Sequence, residues 1–161
     1  MESEIIELSQ DLGRLLRKSG AKVTVAESCT GGGIASAITE VEGSSQWFQV
    51  GFVTYSDRYK KELLDVPQTL LTRDGAVSES VVRRMVDGAV TIAKADFGIA
   101  VSGIAGPSGG SEDKPVGTVW FAWRGGSSVG AASKIFLGGR TAVRQQAIKF
   151  SLQQLLHMVK E

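Results

Sequence analysis

Apolar residues along this chain fall into two kinds of pattern, stripes at helical spacing and short continuous runs, as expected of helices packed on a sheet. Ile5, Leu8, Leu12, Leu15 and Leu16 make one helical stripe, which Gly20 closes. Residues 23–26 are a short apolar run and read as a buried strand that stops at Glu27; residues 30–33 read as a tight turn into a helix reaching about Glu40. Residues 47–55 predict a second, extended strand, followed by a short helix with Asp57 near its first turn. Val66-Pro67 breaks the pattern ahead of another short helix over residues 68–71. Ser78 is the expected N-cap of a long helix to about Ala95, with Val82, Met85, Val86, Ala89 and Ile92 as its buried face. Residues 97–101 predict a third buried strand. Residues 116–123 and 132–137, joined by a turn over 125–130, predict an antiparallel hairpin. Ile148, Leu152, Leu155, Leu156 and Val159 form the stripe of a last helix starting near Arg140. The sum is one α/β domain over residues 1–161, with helices covering a mixed sheet of about five strands.

Glycine is the one deviation in composition: twenty residues, clustered at 31–33, 103–110, 125–130 and 138–139. The first two clusters follow strand ends, where open α/β sheets place ligands, so a small-molecule site between them is expected. Ser28 and Cys29 stand side by side at the first of these, below a helix N-terminus whose backbone N–H groups lack intrahelical partners. Such donors suit an oxyanion, as acyl transfer at a carbonyl requires. They suit a phosphate equally well, and glycine there also serves plain close packing; the pattern leaves all three uses open. No Gly-Lys-Ser/Thr follows, and the spacing is wrong for a dinucleotide fingerprint.

Charge and composition narrow the classes. Hydrophobic residues at 42% and charged residues at 22% are ordinary for a globular domain, and a net charge of +1 makes no electrostatic case for nucleic acid or acidic lipid. One cysteine excludes an internal disulfide framework and suits a reducing compartment. The opening Met-Glu-Ser-Glu is acidic rather than a signal peptide, and no apolar run is long enough to span a bilayer, so the cytoplasm is the expected location. His157, the single histidine, shares a helical face with Lys149, Gln153 and Lys160 and reads as exposed, which argues against a histidine-based triad. No ligand cluster asks for a metal, and no cofactor is expected.

An amide or ester hydrolase without a usable histidine needs another base. A lysine serves where burial or nearby cations depress its pKa, and a tyrosine can relay the proton. Lys60 lies five residues after Tyr55, so a strand-to-helix turn brings both to one cleft. Each has an ordinary alternative: Lys60, beside Lys61, as a solvated charge; Tyr55 as an interface residue; Cys29 as a small buried hydrophobe. Trp120 and Trp123 read as sheet-covering core. Arg140 and Arg144 fall in the first turns of the last helix, where the helix dipole disfavours cations, a hint that one of them meets an anion.

Five motifs occur together in order: Ala26-Glu-Ser-Cys-Thr-Gly-Gly32, Gly51-Phe-Val-Thr-Tyr-Ser56, Gly75-Ala-Val-Ser-Glu79, Ser102-Gly-Ile-Ala-Gly-Pro107 and Lys114-Pro-Val-Gly117. In this combination the chain resembles the CinA C-terminal domain family, the nicotinamide mononucleotide deamidases, over residues 5–157. The resemblance implies a three-layer α/β/α sandwich and hydrolysis of the nicotinamide carboxamide to nicotinic acid mononucleotide and ammonia, in bacterial pyridine nucleotide salvage. It implies Ser28 as nucleophile, with Tyr55, Lys60 and Arg140 at the family's other site positions; Gly139 stands where the family often carries aspartate. The activity of the additional N-terminal domain of longer CinA proteins is not implied.

Residues and resemblance together predict that Ser28 attacks the carboxamide, Lys60 accepts its proton, and Tyr55 helps pass it to ammonia. Backbone N–H groups of residues 29–32 are the expected oxyanion donors. The expected substrate contacts are Thr30, Gly31 and Gly32 in the first loop and Ser102, Gly103, Ile104, Ala105, Gly106, Gly109 and Gly110 in the second, with Arg140. The second loop and Arg140 are the candidates for the phosphate. Two other readings stand beside this one: an amidase using Cys29, and a nucleotide-binding module without catalysis. The expected partner is a nicotinamide nucleotide, and a homodimer suits a compact salvage enzyme.

Overall fold

Phe97–Gly103 becomes β3, the middle strand of a five-stranded sheet in the computed structural model, which describes residues 1–161. Its neighbours are β1 (Val23–Glu27), which pairs with it in parallel, and β4 (Thr118–Gly125), which pairs antiparallel. The short β2 (Phe52–Val53) lies outside β1, and β5 (Ser128–Ile135) outside β4, giving the order β2-β1-β3-β4-β5. The sheet is mixed, as its composition of strands predicts.

The two faces of the sheet are built differently. Ala26, Ala100, Ala122 and Ala131 are paired neighbours across β1, β3, β4 and β5, a stripe of small side chains on one face. Helix α5 (Glu79–Ala93) packs on this face with Val81, Val82, Met85, Val86 and Ala89 buried. It is joined there by α3 (Asp57–Leu64) and α4 (Gln68–Asp74), through Leu64 and Leu71. The opposite face presents larger residues, Val25, Ile99, Val101 and Phe121, to α1 (Ser3–Ser19), α2 (Gly33–Thr39) and α6 (Arg140–Lys160). Buried on both faces, β3 reads as a continuous apolar run rather than an alternating one. The result is a three-layer α/β/α sandwich. No helix is long and apolar enough to cross a membrane.

Four expectations are corrected. The extended strand over 47–55 shrinks to two residues. Trp47 ends a short 3-10 turn and is buried against Gly13 of α1, and the chain then follows β1 irregularly, with Thr24 Oγ1 donating to the Val50 carbonyl at 2.8 Å. The hairpin sits earlier in β5 and later in β4 than its glycines suggest. Gly125 and Gly130 are strand residues that make room for the rings of Phe97 and Trp123, and the turn is confined to residues 126–127, with Gly126 at φ 59°. Ile92 is 53% exposed, and Val81 takes its place on the buried face of α5. Trp120 and Trp123 are only half-buried.

One close approach sets where α3 lies. A Cβ on Gly88 of α5 would stand 2.1 Å from the Leu64 carbonyl oxygen, against backbone that cannot turn aside. Alanine normally favours a helix over glycine by about 1 kcal/mol. Gly88→Ala is nevertheless expected to destabilise the fold by about 1–3 kcal/mol through overpacking. Urea unfolding monitored by circular dichroism checks this, and an unchanged or raised midpoint contradicts it.

Candidate active site

The cleft forms where β1, β2 and β3 end. Ser28 follows β1 directly, and its amide donates to the Val101 carbonyl of β3 at 3.0 Å, which ties it to the middle of the sheet. The chain then turns sharply, the Gly31 amide donating to the Ser28 carbonyl and the Gly33 amide to that of Thr30, each at 3.0 Å. The amides of Cys29, Thr30 and Gly32 make no backbone–backbone hydrogen bond.

Lys60 arrives from the other helical layer. Ser56 caps α3, its hydroxyl accepting from the Tyr59 amide at 3.3 Å, and one turn later Lys60 points back beneath the strand end. Its side chain is 1% exposed. Nζ stands 2.9 Å from the Thr54 carbonyl, 3.3 Å from that of Tyr55, and 3.1 Å from Ser28 Oγ. Asp57 Oδ1 is 3.9 Å away, at the limit of an ion pair. Burial pushes the Lys60 ammonium below the ordinary lysine pKa, and the Asp57 carboxylate opposes part of that shift. The solvated-lysine alternative is therefore excluded for Lys60, while its neighbour Lys61 is exposed.

Tyr55 stands at the rim, 60% exposed, and its hydroxyl accepts from Arg140 Nη2 at 2.8 Å. Arg140, the first residue of α6, also donates through Nη1 to the Gly106 carbonyl at 2.7 Å. One guanidinium thus links Tyr55 to the second glycine loop. Arg144, one turn on, donates to the Thr30 carbonyl at 3.2 Å. Neither arginine has a carboxylate within ion-pair distance.

Ser28, Tyr55, Lys60 and Arg140 line one cleft of about 270 Å³, together with Ser102, Gly103, Ile104, Ala105, Gly106 and Gly109. The Ser102 hydroxyl has no partner in the chain, nor do the amides of Ala105, Gly106, Ser108, Gly109 and Gly110. Thr30, Gly31, Gly32 and Gly110 lie outside the cleft lining. Thr30 spends its hydroxyl on Glu27; Gly31 backs onto Arg144, Gly32 onto Val53, and Gly110 onto Pro115 and Val116. Cys29, Asp57, Ala76, Val77 and Ser108 also line the cleft. Ala76 and Val77 belong to the Gly75-Ala-Val-Ser-Glu79 motif, the signal from which this apolar wall could have been inferred.

The helix end is a correction. The N-terminus of α2 is not open to a ligand, because the buried Glu27 carboxylate already accepts from the Ile34 and Ala35 amides, at 2.9 and 3.0 Å. The expected donors of residues 29–32 lie in the turn before α2, and of these residues Cys29 lines the cleft. The Cys29 thiol is a poor nucleophile candidate: it is buried, and burial pushes its pKa up to about 12. A larger depression of about 830 Å³ opens at the opposite end of the sheet, beside Leu15, Val90, Phe97 and Val159 with Lys18, Ser19, Asp96 and Arg124; the Ser19 hydroxyl donates to the Leu15 and Leu16 carbonyls there.

Comparison with known proteins places the chain among its relatives. The family model described as CinA C-terminal domain matches residues 5–159. The chain is 50% identical over 155 residues to the nicotinamide-nucleotide amidohydrolase PncC of Escherichia coli (strain K12), covering 96% of this chain and 94% of that protein. It is 53% identical to the protein of the same name from Pseudomonas putida, covering 98% of each. Among solved structures, the competence/damage inducible protein CihA from Agrobacterium tumefaciens superposes with a TM-score of 0.96 at 38% identity, covering 100% of this chain and 98% of that one. By sequence, by fold and by near-complete coverage of its relatives, the chain belongs to the CinA C-terminal domain family.

Proposed function

We propose that this chain hydrolyses the carboxamide of nicotinamide mononucleotide to nicotinic acid mononucleotide and ammonia, with Ser28 as nucleophile and Lys60 as its base. The observation that carries the reading is a buried lysine amine 3.1 Å from a serine hydroxyl at the floor of a cleft. A neutral amine has two N–H donors and one lone pair. The Thr54 and Tyr55 carbonyls accept two donors, and in the free base the lone pair is then available to the Ser28 hydroxyl 3.1 Å away. Three acceptors also match the three donors of an ammonium, so the support for the free base is burial, which disfavours the charged form.

In the acylation step, Ser28 Oγ forms a bond to the carboxamide carbon while its proton passes to Lys60 Nζ. The carbonyl oxygen becomes an oxyanion, for which the unpartnered Cys29 amide is the nearest donor in sequence to the nucleophile. The C–N bond then breaks as the nitrogen receives the proton and leaves as ammonia. Tyr55, its hydroxyl oriented by Arg140, is the relay at the cleft rim. Water attacks the resulting ester, loses a proton to Lys60, and frees the carboxylate product and Ser28. The apolar wall of Ala76 and Val77 suits the nicotinamide ring. Arg140 and the unpartnered amides of the second glycine loop suit the phosphate, since two successive free N–H groups make an anion-binding concavity.

The cysteine alternative requires a thiolate that the buried, high-pKa Cys29 does not supply at neutral pH. Ammonia release from nicotinamide mononucleotide is expected to fall by about 10³-fold or more in Ser28→Ala and to stay within about tenfold of wild type in Cys29→Ala. The reverse order of effects identifies the thiol as nucleophile. A wild-type protein that binds the nucleotide without releasing ammonia is a binding module instead.

The base must be neutral to act, so kcat/KM should rise with pH through the Lys60 pKa. Asp57 raises that pKa, so Asp57→Asn should move the rising limb to lower pH. A limb that stays in place or moves up excludes Lys60 as the group titrating there.

A further inference from the structure

Glu27 ends β1 with its side chain wholly buried, and no step above uses it. Its carboxylate accepts three hydrogen bonds: from Thr30 Oγ1 at 2.6 Å and the Ile34 amide at 2.9 Å on Oε1, and from the Ala35 amide at 3.0 Å on Oε2. Its backbone carbonyl accepts from the Thr54 amide at 2.9 Å, and the Thr54 carbonyl in turn holds Lys60 Nζ. One residue therefore borders both halves of the Ser28–Lys60 pair.

A buried carboxylate is costly unless donors replace its water, and here three do. A helix that needs only a cap ordinarily takes Ser, Thr, Asp or Asn at the N-cap itself. Helix α2 has Gly32 there, with φ 94° and no side-chain cap, and draws its acceptor from a strand residue seven positions before Ile34. The span between is the turn that follows the nucleophile. Tying Thr30, Ile34 and Ala35 to one carboxylate closes that turn into a ring, while the Cys29 amide stays without a partner.

We infer that Glu27 is a positioning residue whose carboxylate holds the turn after Ser28 in the shape that aims the Cys29 amide at the developing oxyanion. This rests on the reading that Ser28 attacks a carboxamide. A misplacement of about 1 Å in such a donor costs about 100-fold in rate, and the loss falls on the transition state rather than on substrate binding.

Glu27→Gln keeps the side chain's size but can accept on one oxygen only, and sets an N–H donor against a backbone donor. Thr30→Val removes a single bond and keeps the carboxylate. Both variants and wild type are compared for kcat and KM of ammonia release from nicotinamide mononucleotide. They are also compared for the rate at which a fluorophosphonate modifies Ser28, read by mass spectrometry, with each rate expressed per folded molecule. For Glu27→Gln we expect kcat about 100-fold lower with KM within about threefold, and Ser28 modification slowed to a similar extent. Thr30→Val is expected to lose about tenfold in both rates, and it decides the matter alone should Glu27→Gln not fold. Wild-type rates per folded molecule, with only the folded fraction reduced, overturn the inference, as does a rise confined to KM. A wild type that is modified at Ser28 yet releases no ammonia refutes the substrate assignment, and the modification rates still judge Glu27.

Discussion

A lysine amine taken out of water without a carboxylate in hydrogen-bonding reach is the constraint on which this site depends. Lys60 is almost wholly buried, two backbone carbonyls accept from it, and the Asp57 carboxylate stands 3.9 Å off. Burial favours the neutral amine, and the carbonyls orient it. In the proposed free base, the remaining lone pair faces Ser28 Oγ, 3.1 Å away. A histidine-based pair reaches the same end with a group whose ordinary pKa is already near neutrality; a lysine base, as proposed for Lys60, needs its pKa lowered, and burial acts in that direction.

The architecture serves that demand by drawing the site from both sides of the sheet. Ser28 comes from a parallel strand end and is pinned to β3; Lys60 comes from the layer of α3, α4 and α5; Arg140 comes from α6 on the opposite face. The alanine stripe provides a flat, small-residue surface for α5, and Gly88 of α5 lets α3 approach closely enough to carry Lys60 beneath Thr54. Arg140 then joins the two rims, through Tyr55 on one and Gly106 on the other. Packing and chemistry are therefore not separable at these positions.

Much of this was legible in the sequence, because helical stripes and continuous apolar runs report burial directly. The parallel core strands, the long helices and the antiparallel hairpin follow from periodicity. Several positions stay ambiguous in the sequence because their partner lies elsewhere in the chain. Gly125 and Gly130 read as turn glycines until the rings of Phe97 and Trp123 are seen to fill the space beside them. Lys60 and Lys61 look alike, and only the i, i+4 relation of Lys60 to buried Leu64 separates them. Glu27 resembles the polar end of a strand, since nothing local shows that it caps a helix seven residues later. The motif resemblance supplied site positions that periodicity alone left among several uses.

The central claim is that Lys60 is a free base while the enzyme works. Nitrogen-15 NMR of the lysine side chains, with the Lys60 signal assigned by Lys60→Arg, measures this directly across the pH range of turnover. The account predicts that Lys60 titrates below the other lysines and is substantially neutral where ammonia release is fastest. A Lys60 signal that remains ammonium throughout the active range would contradict it, and the proton of Ser28 would then need another acceptor.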